Sequence, residues 1–141
     1  MKKYFFFVIS FFIFISATLF SQTELQNTFF DSLQRQIDIS LYAAIEIFTI
    51  DATVQELKKE DTDNDGFLFY SDTALISGET LSVYDIINVN TRKSVRVILS
   101  SGTTYLKTTK LKIYNRIVYD QKVKDQFIND LNKVIYDIGI R

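Results

Sequence analysis

Hydrophobic side chains recur along this chain with three different spacings. Residues 4–20 form an apolar run without a single charge, directly after Lys2 and Lys3. From residue 30 onward, apolar residues repeat every three or four positions, which is the period of a helix. They are Phe30, Leu33, Ile37, Leu41, Ala44 and Phe48. Later in the chain, Val95, Val97 and Leu99 alternate with polar residues, which is the period of a half-buried strand.

The N-terminal run is typical of either a signal peptide or a membrane anchor. A basic start, an apolar core and the small Ser21 before Gln22 fit a signal peptide. A run of about 17 apolar residues also meets the lower limit for a membrane-spanning helix. Either interpretation leaves the two lysines in the cytoplasm and exports the remainder of the chain. We therefore predict that residues 1–21 are a signal peptide or anchor. Residues 22–141 should form one exported domain, anchored at the cell membrane facing outside or secreted.

The pattern predicts that residues 22–60 are helical. Proline is absent from the chain and the first glycine is Gly66, so nothing interrupts a helix that starts in the apolar run. The alternating stretch 45–50 indicates that the first helix ends near there. Asp51 is then expected to cap a second short helix over 52–59. We interpret the apolar stripe of these helices as a surface that faces the core.

Residues 73–120 are predicted to be mainly strands. Two short strands, 67–70 and 74–76, are expected around a turn. Ser77 as a helix N-cap favours a helix over 78–87, and a strand over 82–88 is the alternative. The remaining predictions are a strand around Val95, a hairpin turn at Ser101 and Gly102, and strands over 103–108 and 111–119.

The C-terminal residues 121–138 are predicted to form an amphipathic helix. Asp120 is its expected N-cap, and Gly139 lies where a helix-ending glycine belongs. Its apolar face consists of Val123, Phe127, Ile128, Leu131, Val134, Ile135 and Ile138. The predicted fold class is therefore α+β: an N-terminal apolar segment and long helix, a small antiparallel sheet, and a C-terminal amphipathic helix packed on the sheet.

An acidic loop, 61–72, lies between the helical and strand-rich parts. Asp61, Asp63 and Asp65 alternate and precede Gly66, as in the start of a calcium loop. Calcium takes about six to eight oxygen ligands. The backbone carbonyl of Phe67 and the carboxylate of Asp72 are the expected further ligands. The stretch resembles the EF-hand loop and, through Asp72 and residues 73–76, its dockerin variant. The resemblance implies Ca²⁺ as the ligand, and a solvated acidic turn is the alternative.

The composition excludes several classes of function. There is no Cys and no His, so disulfides, a Ser-His-Asp triad, a Cys nucleophile and a zinc site with the usual Cys or His ligands are ruled out. The four glycines are scattered and build no phosphate-binding loop. No nucleophile–base pair and no small-molecule site is evident. We therefore predict that the protein is not an enzyme.

Charge is distributed unevenly along the chain. Residues 22–80 hold 12 acidic and 3 basic side chains, a net charge of −9, whereas residues 81–141 hold 5 acidic and 11 basic, a net charge of +6. This asymmetry indicates attraction between the two halves of one fold, or head-to-tail contact between copies. A nucleic acid partner is not expected because the acidic half repels phosphate.

The basic side chains of the second half are the predicted partner-binding surface. They are Arg92, Arg96, Lys107, Lys110 and Lys112. An acidic protein or a second copy is the expected partner. The alternative is that lysines on exposed strands discourage pairing with other chains.

The predicted order of elements is similar to that of pilins and pseudopilins. Residues 74–81 are also similar to a strand–Ser-Gly–helix pattern in small membrane-anchored proteins of tight-adherence pilus loci. The apolar run lacks the preceding glycine and the fifth-position glutamate of prepilin peptidase substrates, so only the layout is similar. The resemblance implies a bacterial, non-catalytic structural or interaction protein outside the cytoplasm, tethered through residues 4–20. A cleaved, secreted, calcium-dependent binding module is the alternative.

Overall fold

A computed structural model describes residues 22–140, and within them the chain forms three α-helices and a five-stranded antiparallel sheet. The elements are α1 (Gln22–Ile39), β1 (Tyr42–Thr49), α2 (Val54–Glu60), β2 (Phe67–Ile76), β3 (Glu79–Asn88), β4 (Lys93–Ser100), a 3-10 turn (Leu106–Thr108), β5 (Tyr114–Asn115) and α3 (Gln121–Asp137). The strand order is β2-β3-β4-β1-β5. The predicted α+β class, the antiparallel sheet and the C-terminal helix are confirmed.

The predicted apolar segment, residues 1–21, lies outside the described residues. Within residues 22–140, no helix is both long enough and apolar enough to cross a membrane.

Helices α1 and α3 cover one face of the sheet, called here the first face. Leu33 and Ile37 of α1 and Phe127 of α3 are buried against strand residues such as Val97. Phe29 adds aromatic contacts, with its ring centroid 5.1 Å from that of Phe69. Burying a side chain of this size contributes about 1.5–3 kcal/mol. The apolar residues that recur every three or four positions in these two helices are therefore the ones that contribute to this core.

The prediction that residues 22–60 are helical is wrong for β1. Helix α1 ends at Ile39, where the Ser40 hydroxyl donates to the carbonyl of Gln36 at 2.6 Å. Strand β1 then pairs with β4 along its whole length, with Ala43 opposite Leu99. Part of this strand is buried on both faces, so apolar residues occur on both of its sides. Their spacing along the sequence therefore resembles that of a helix.

Helix α2 begins after Thr53 rather than after Asp51. The Thr53 hydroxyl accepts the backbone N–H of Glu56 at 3.1 Å, and the Glu56 carboxylate accepts the N–H of Thr53 at 2.9 Å. This reciprocal capping box satisfies two backbone N–H groups at the start of the helix. Leu57 anchors α2 on the opposite side of the sheet, the second face, in a cluster with Leu68, Tyr70 and Ile87.

The β2–β3 hairpin differs from the prediction at two points. Strand β2 runs without a break, and the expected helix over 78–87 is the strand β3, as the alternative stated. Ser77 and Gly78 form the turn with φ of +52° and +79°, the geometry that suits a two-residue hairpin. Strand β3 is buried on both faces, and this continuous apolar pattern resembles a helix when only the sequence is considered.

The second half contains less strand than predicted. Strand β4 is central and buried on both faces, rather than half-buried. The segment 101–113 forms a loop with its 3-10 turn instead of a hairpin. Its Leu106 is buried on the second face beside Ala44, Leu81 and Ile98. The expected strand over 111–119 is reduced to the two residues of β5.

The last helix begins where the sequence predicted. The Asp120 carboxylate accepts the N–H groups of Lys122 and Val123 at 3.1 and 3.4 Å. Helix α3 ends at Asp137, and Gly139 has a φ of +114°, a conformation that glycine adopts without strain.

Candidate functional site

The acidic loop is held together by its own aspartates. Asp61 ends α2, and its carboxylate accepts the backbone N–H of Asp65 at 3.3 Å and of Gly66 at 2.8 Å. Asn64 and Gly66 have positive φ, of +56° and +88°, which lets the chain turn back towards Asp61. Asp61 therefore closes the turn through backbone amides.

Asp65 connects the loop to the first helix. Its carboxylate accepts the side-chain N–H of Gln26 at 3.1 Å and the backbone N–H of Phe67 at 3.2 Å. Burial, together with the neighbouring Asp61 carboxylate, raises the pKa of Asp65 to about 6 against the lowering effect of these two bonds. Two adjacent carboxylates with little water between them repel each other.

The prediction that Asp72 is a ligand in this loop is wrong. The extended strand β2 carries its Cα about 17 Å from that of Phe67, at roughly 3.3–3.4 Å per residue. The Asp72 carboxylate instead accepts the backbone N–H of Thr73 at 2.8 Å. Asp61, Asp63, Asp65 and the Phe67 carbonyl remain close in sequence. Across residues 22–140, no group of three or more acidic side chains is placed to hold a metal ion.

The remaining residues do not complete a calcium shell by themselves. Three carboxylates and one carbonyl give four protein ligands, against the about six to eight that calcium takes. The carboxylates of Asp61 and Asp65 also accept hydrogen bonds from the loop backbone and from Gln26. Bound calcium would therefore need several waters and would compete with the bonds that shape the loop.

The outer edge of β2 is the second notable feature. β2 is the first strand of the sheet order, so one side of it pairs with no other strand of the described chain. Val89 donates its N–H to the carbonyl of Gly66 at 2.8 Å. Hydrogen-bonded and non-hydrogen-bonded residue pairs alternate along an antiparallel ladder. The bond between Val89 and Gly66 therefore fixes which β2 residues direct their backbone N–H and C=O groups away from β3. They are Phe67, Phe69, Ser71, Thr73 and Leu75.

Two of these outward N–H groups already have acceptors. Asp65 accepts that of Phe67, and Asp72 accepts that of Thr73. Ser71 lies between these two residues and Leu75 lies beyond Thr73, and both present their N–H groups on the open side of β2. The side chains from residue 71 to 76 are all exposed, with Leu75 at 74% and Ile76 at 39%. The distal half of β2 is thus a polar backbone edge next to exposed aliphatic side chains.

This edge has little of the protection that natural sheets usually have. Edge strands are commonly short, or they carry lysine or proline that discourages pairing. β2 has ten residues, and neither lysine nor proline occurs in it. Asp72 is its one charged side chain. An edge of this kind favours the addition of another extended strand.

The opposite edge of the sheet is short and basic. β5 has two residues, and Lys110, Lys112 and Arg116 beside it are exposed. The Lys112 ammonium lies 4.7 Å from the centre of the Tyr114 ring and 4.0 Å from a carboxylate oxygen of Asp130. Lys107 is also exposed, on the 3-10 turn.

Two of the predicted partner-binding residues make contacts within the fold. Arg92 is half-buried in the turn before β4, where its backbone carbonyl accepts the N–H of Ile50 at 2.9 Å. Arg96 is only 7% exposed, so its prediction as a surface residue is wrong. It lies on the second face, where β4 is covered.

Arg96 forms a buried ion pair with Asp85, which sequence reasoning missed. Its Nε and Nη2 donate to the two carboxylate oxygens of Asp85 at 2.8 and 2.7 Å, and Asp85 is completely buried. Glu46 lies 4.0 Å away, and the Phe48 ring centre is 5.1 Å from the guanidinium carbon. Burial acts to lower the pKa of Arg96, but the bonds to Asp85 outweigh it and the pKa is raised. A charged residue in each of two apolar strands was the available signal.

The ion pair links the strands rather than forming an open pocket. Asp85 is opposite Arg96 in the β3–β4 register, and Glu46 is opposite Arg96 in the β1–β4 register. Tyr70 continues the row on β2, and its hydroxyl donates to Glu60 at 2.7 Å. The pair Asp85 and Arg96 lies between the cluster under α2, which includes Tyr70, and the cluster under the 101–113 loop.

Comparisons with protein-family models, with curated proteins and with solved structures find no match for this chain. Its function is therefore inferred from the sequence and from the geometry of the described residues.

Proposed function

We propose that this chain is a non-catalytic interaction protein that acts outside the cytoplasm and binds another polypeptide along the open edge of β2. Residues 4–20 tether it to the membrane. The observation that carries the proposal is the ten-residue edge strand with its exposed distal half. Backbone groups on such an edge supply affinity, and the flanking Leu75 and Ile76 supply apolar contact.

The absence of a catalytic role is supported by how the polar side chains are used. Within residues 22–140, every buried side-chain nitrogen and oxygen has a hydrogen-bond partner. The buried charges of Asp85 and Arg96 are matched by a bidentate bond. The sequence supplies no histidine or cysteine for acid–base or nucleophilic work. These groups stabilise the fold.

Tethering is supported by the start of α1. This helix follows the apolar segment in the sequence and packs on the sheet through Phe29, Leu33 and Ile37. A helix that leaves the membrane and then lies on an antiparallel sheet is the layout that suggested similarity to pilins. The same chain cleaved after Ser21 would be the secreted alternative.

Ser71→Pro tests the proposed binding edge. Ser71 directs its N–H away from β3, so proline there removes an outward donor and preserves the β2–β3 ladder. We treat membranes that contain the full-length protein with an amine-reactive cross-linker. We expect the wild type to form adducts with its bound polypeptide, and Ser71→Pro to lose most of these adducts. The readout is the adduct pattern on a denaturing gel.

Ser71→Ala is the matched control because it changes the same side chain and keeps the N–H. It should retain the adducts, and thermal melts should show similar stability for all three proteins. Adducts that persist in Ser71→Pro, or that never form in the wild type, would refute binding through this edge.

Calcium binding by the 61–67 part of the loop is the second candidate function. The observation in its favour is the adjacent pair Asp61 and Asp65, whose repulsion a cation would relieve. Exported loops of this type bind calcium at about 10⁻⁴–10⁻³ M, so millimolar calcium would stabilise the fold by about 0.4–1.4 kcal/mol.

Thermal melts of the full-length protein in calcium and in chelator test this hypothesis. Calcium binding raises the melting temperature by a few degrees, and Asp61→Ala abolishes the rise. Asp72→Ala is the control, because Asp72 lies far along β2 and its removal should leave the calcium effect intact. Equal melting temperatures in both conditions would identify the loop as an acidic turn.

A further inference from the structure

The charge asymmetry of the sequence becomes an asymmetry between the two edges of the sheet. Asp72 lies on the open edge of β2, and Asp63 and Asp65 lie in the loop that leads into it. At the other edge, Lys110, Lys112 and Arg116 flank β5. Four strand spacings of about 4.8 Å put the two edges about 19 Å apart. One molecule therefore presents an acidic edge and a basic edge in opposite directions.

We infer that a second copy of this chain occupies the β2 edge, and that it does so head to tail. The acidic β2 edge of one copy meets the basic 110–116 edge of the next. This inference rests on the proposed function, since it names the partner of the same edge. The supporting observation is charge complementarity between two edges that both lack a neighbouring strand in the described chain.

A two-fold pairing of β2 with β2 is the main competing arrangement. It would bring the acidic edges of both copies together, with an Asp72 carboxylate from each copy near the contact. Like charges brought together at an interface cost several kcal/mol. The head-to-tail contact instead places Asp72 near lysine and arginine. Such a head-to-tail contact gives a closed ring or an open row of copies, depending on the rotation between neighbours.

Cysteine cross-linking distinguishes the two arrangements, because the chain has no natural cysteine. One differently tagged full-length copy carries Ser71→Cys on β2 and the other carries Asn115→Cys on β5, both exposed positions. The two are produced together in membranes and treated with a short flexible bismaleimide. The head-to-tail contact predicts a mixed dimer that contains both tags.

Each outcome supports or overturns the inference. A mixed dimer that exceeds both same-variant dimers supports it. A predominant Ser71→Cys homodimer overturns it in favour of two-fold pairing, and no dimer overturns it outright. Edge-dependent adducts with a different protein would leave the proposed function intact and overturn only the identity of the partner.

Charge reversal gives an independent test with the same cross-link. Asp72→Lys on the copy with Ser71→Cys should reduce the mixed dimer severalfold, and Arg116→Glu on the other copy should restore it. Asp72→Asn is the control, because it keeps an acceptor for the N–H of Thr73 and removes only the charge. It should have a smaller effect than Asp72→Lys. A mixed dimer that is unaffected by Asp72→Lys would overturn the electrostatic basis of the inference.

Discussion

Single carboxylates make the stability of this protein depend on pH in opposite ways. Burial raises the folded pKa of Asp65 to about 6, from the ordinary 3.8. Between these values the folded state binds more protons than the unfolded state, so stability rises as the pH falls from 6 to 4. The bond from Lys124 lowers the pKa of Asp38, and the bond from Tyr114 lowers that of Asp130. Their contributions are lost as the pH falls further, below about 4.

Asp65→Asn should remove the stability gain between pH 6 and pH 4 and raise the melting temperature at pH 7 by a few degrees. The full shift corresponds to at most about 3 kcal/mol, and partial exposure of the side chain reduces this value. Asparagine still offers an oxygen to the N–H of Phe67. Melts across the pH range, with chelator present, provide the measurement. Asp63→Asn is the control, and an unchanged pH slope in Asp65→Asn would contradict the assignment.

The sequence located some site residues and misplaced others for physical reasons. Asp61 and Asp65 lie in one loop because their spacing is local. Asp72 was assigned to the same site by its position in the motif, but the unbroken strand β2 carries it away. The pair Asp85 and Arg96 depends on the register between two strands, and residue spacing alone does not give that register.

At the level of elements, local signals predicted both ends of α3 and missed strand partners. Asp120 and Gly139 mark the ends of α3 through groups within one turn of the helix. Strand β1 depends on β4 and β5, which are distant in sequence, so its apolar residues fitted a helix equally well. Sheets covered on both faces remove the alternation that identifies a strand.

The same double burial explains the errors in the second half of the chain. The second face is covered by α2 and by the 101–113 loop, so β3 and β4 present apolar residues on both sides. The loop contains buried Leu106 and threonines that bond to nearby carbonyls, as Thr109 does to that of Leu106. Its apolar and threonine-rich sequence therefore resembles that of a strand, although the loop pairs with no strand of the described chain.

At the level of the whole molecule, the tether and the export of the body remain predictions. We expect the mature protein to retain residues 1–21 and to stay with membranes after alkaline extraction, because residues 4–20 are uncharged. N-terminal sequencing provides the measurement. A mature N-terminus at Gln22 would support the secreted alternative. A reporter active only in the cytoplasm, fused after Arg141, is the control for export and should give no signal.

The position of β1 in the sheet has a consequence for how an exported chain folds. β1 precedes the other strands in the chain, yet it lies between β4 and β5. Its Tyr42 pairs with Ser100, 58 positions later, and with Asn115, 73 positions later. Strands β2, β3 and β4 follow one another through short turns and are able to pair early, whereas such distant pairings form slowly. If the chain is exported N-terminus first, β1 waits unpaired until β4, which ends at Ser100, has also left the cytoplasm. The sheet is then completed late, when its N-terminal strand β1 pairs with β4 and β5.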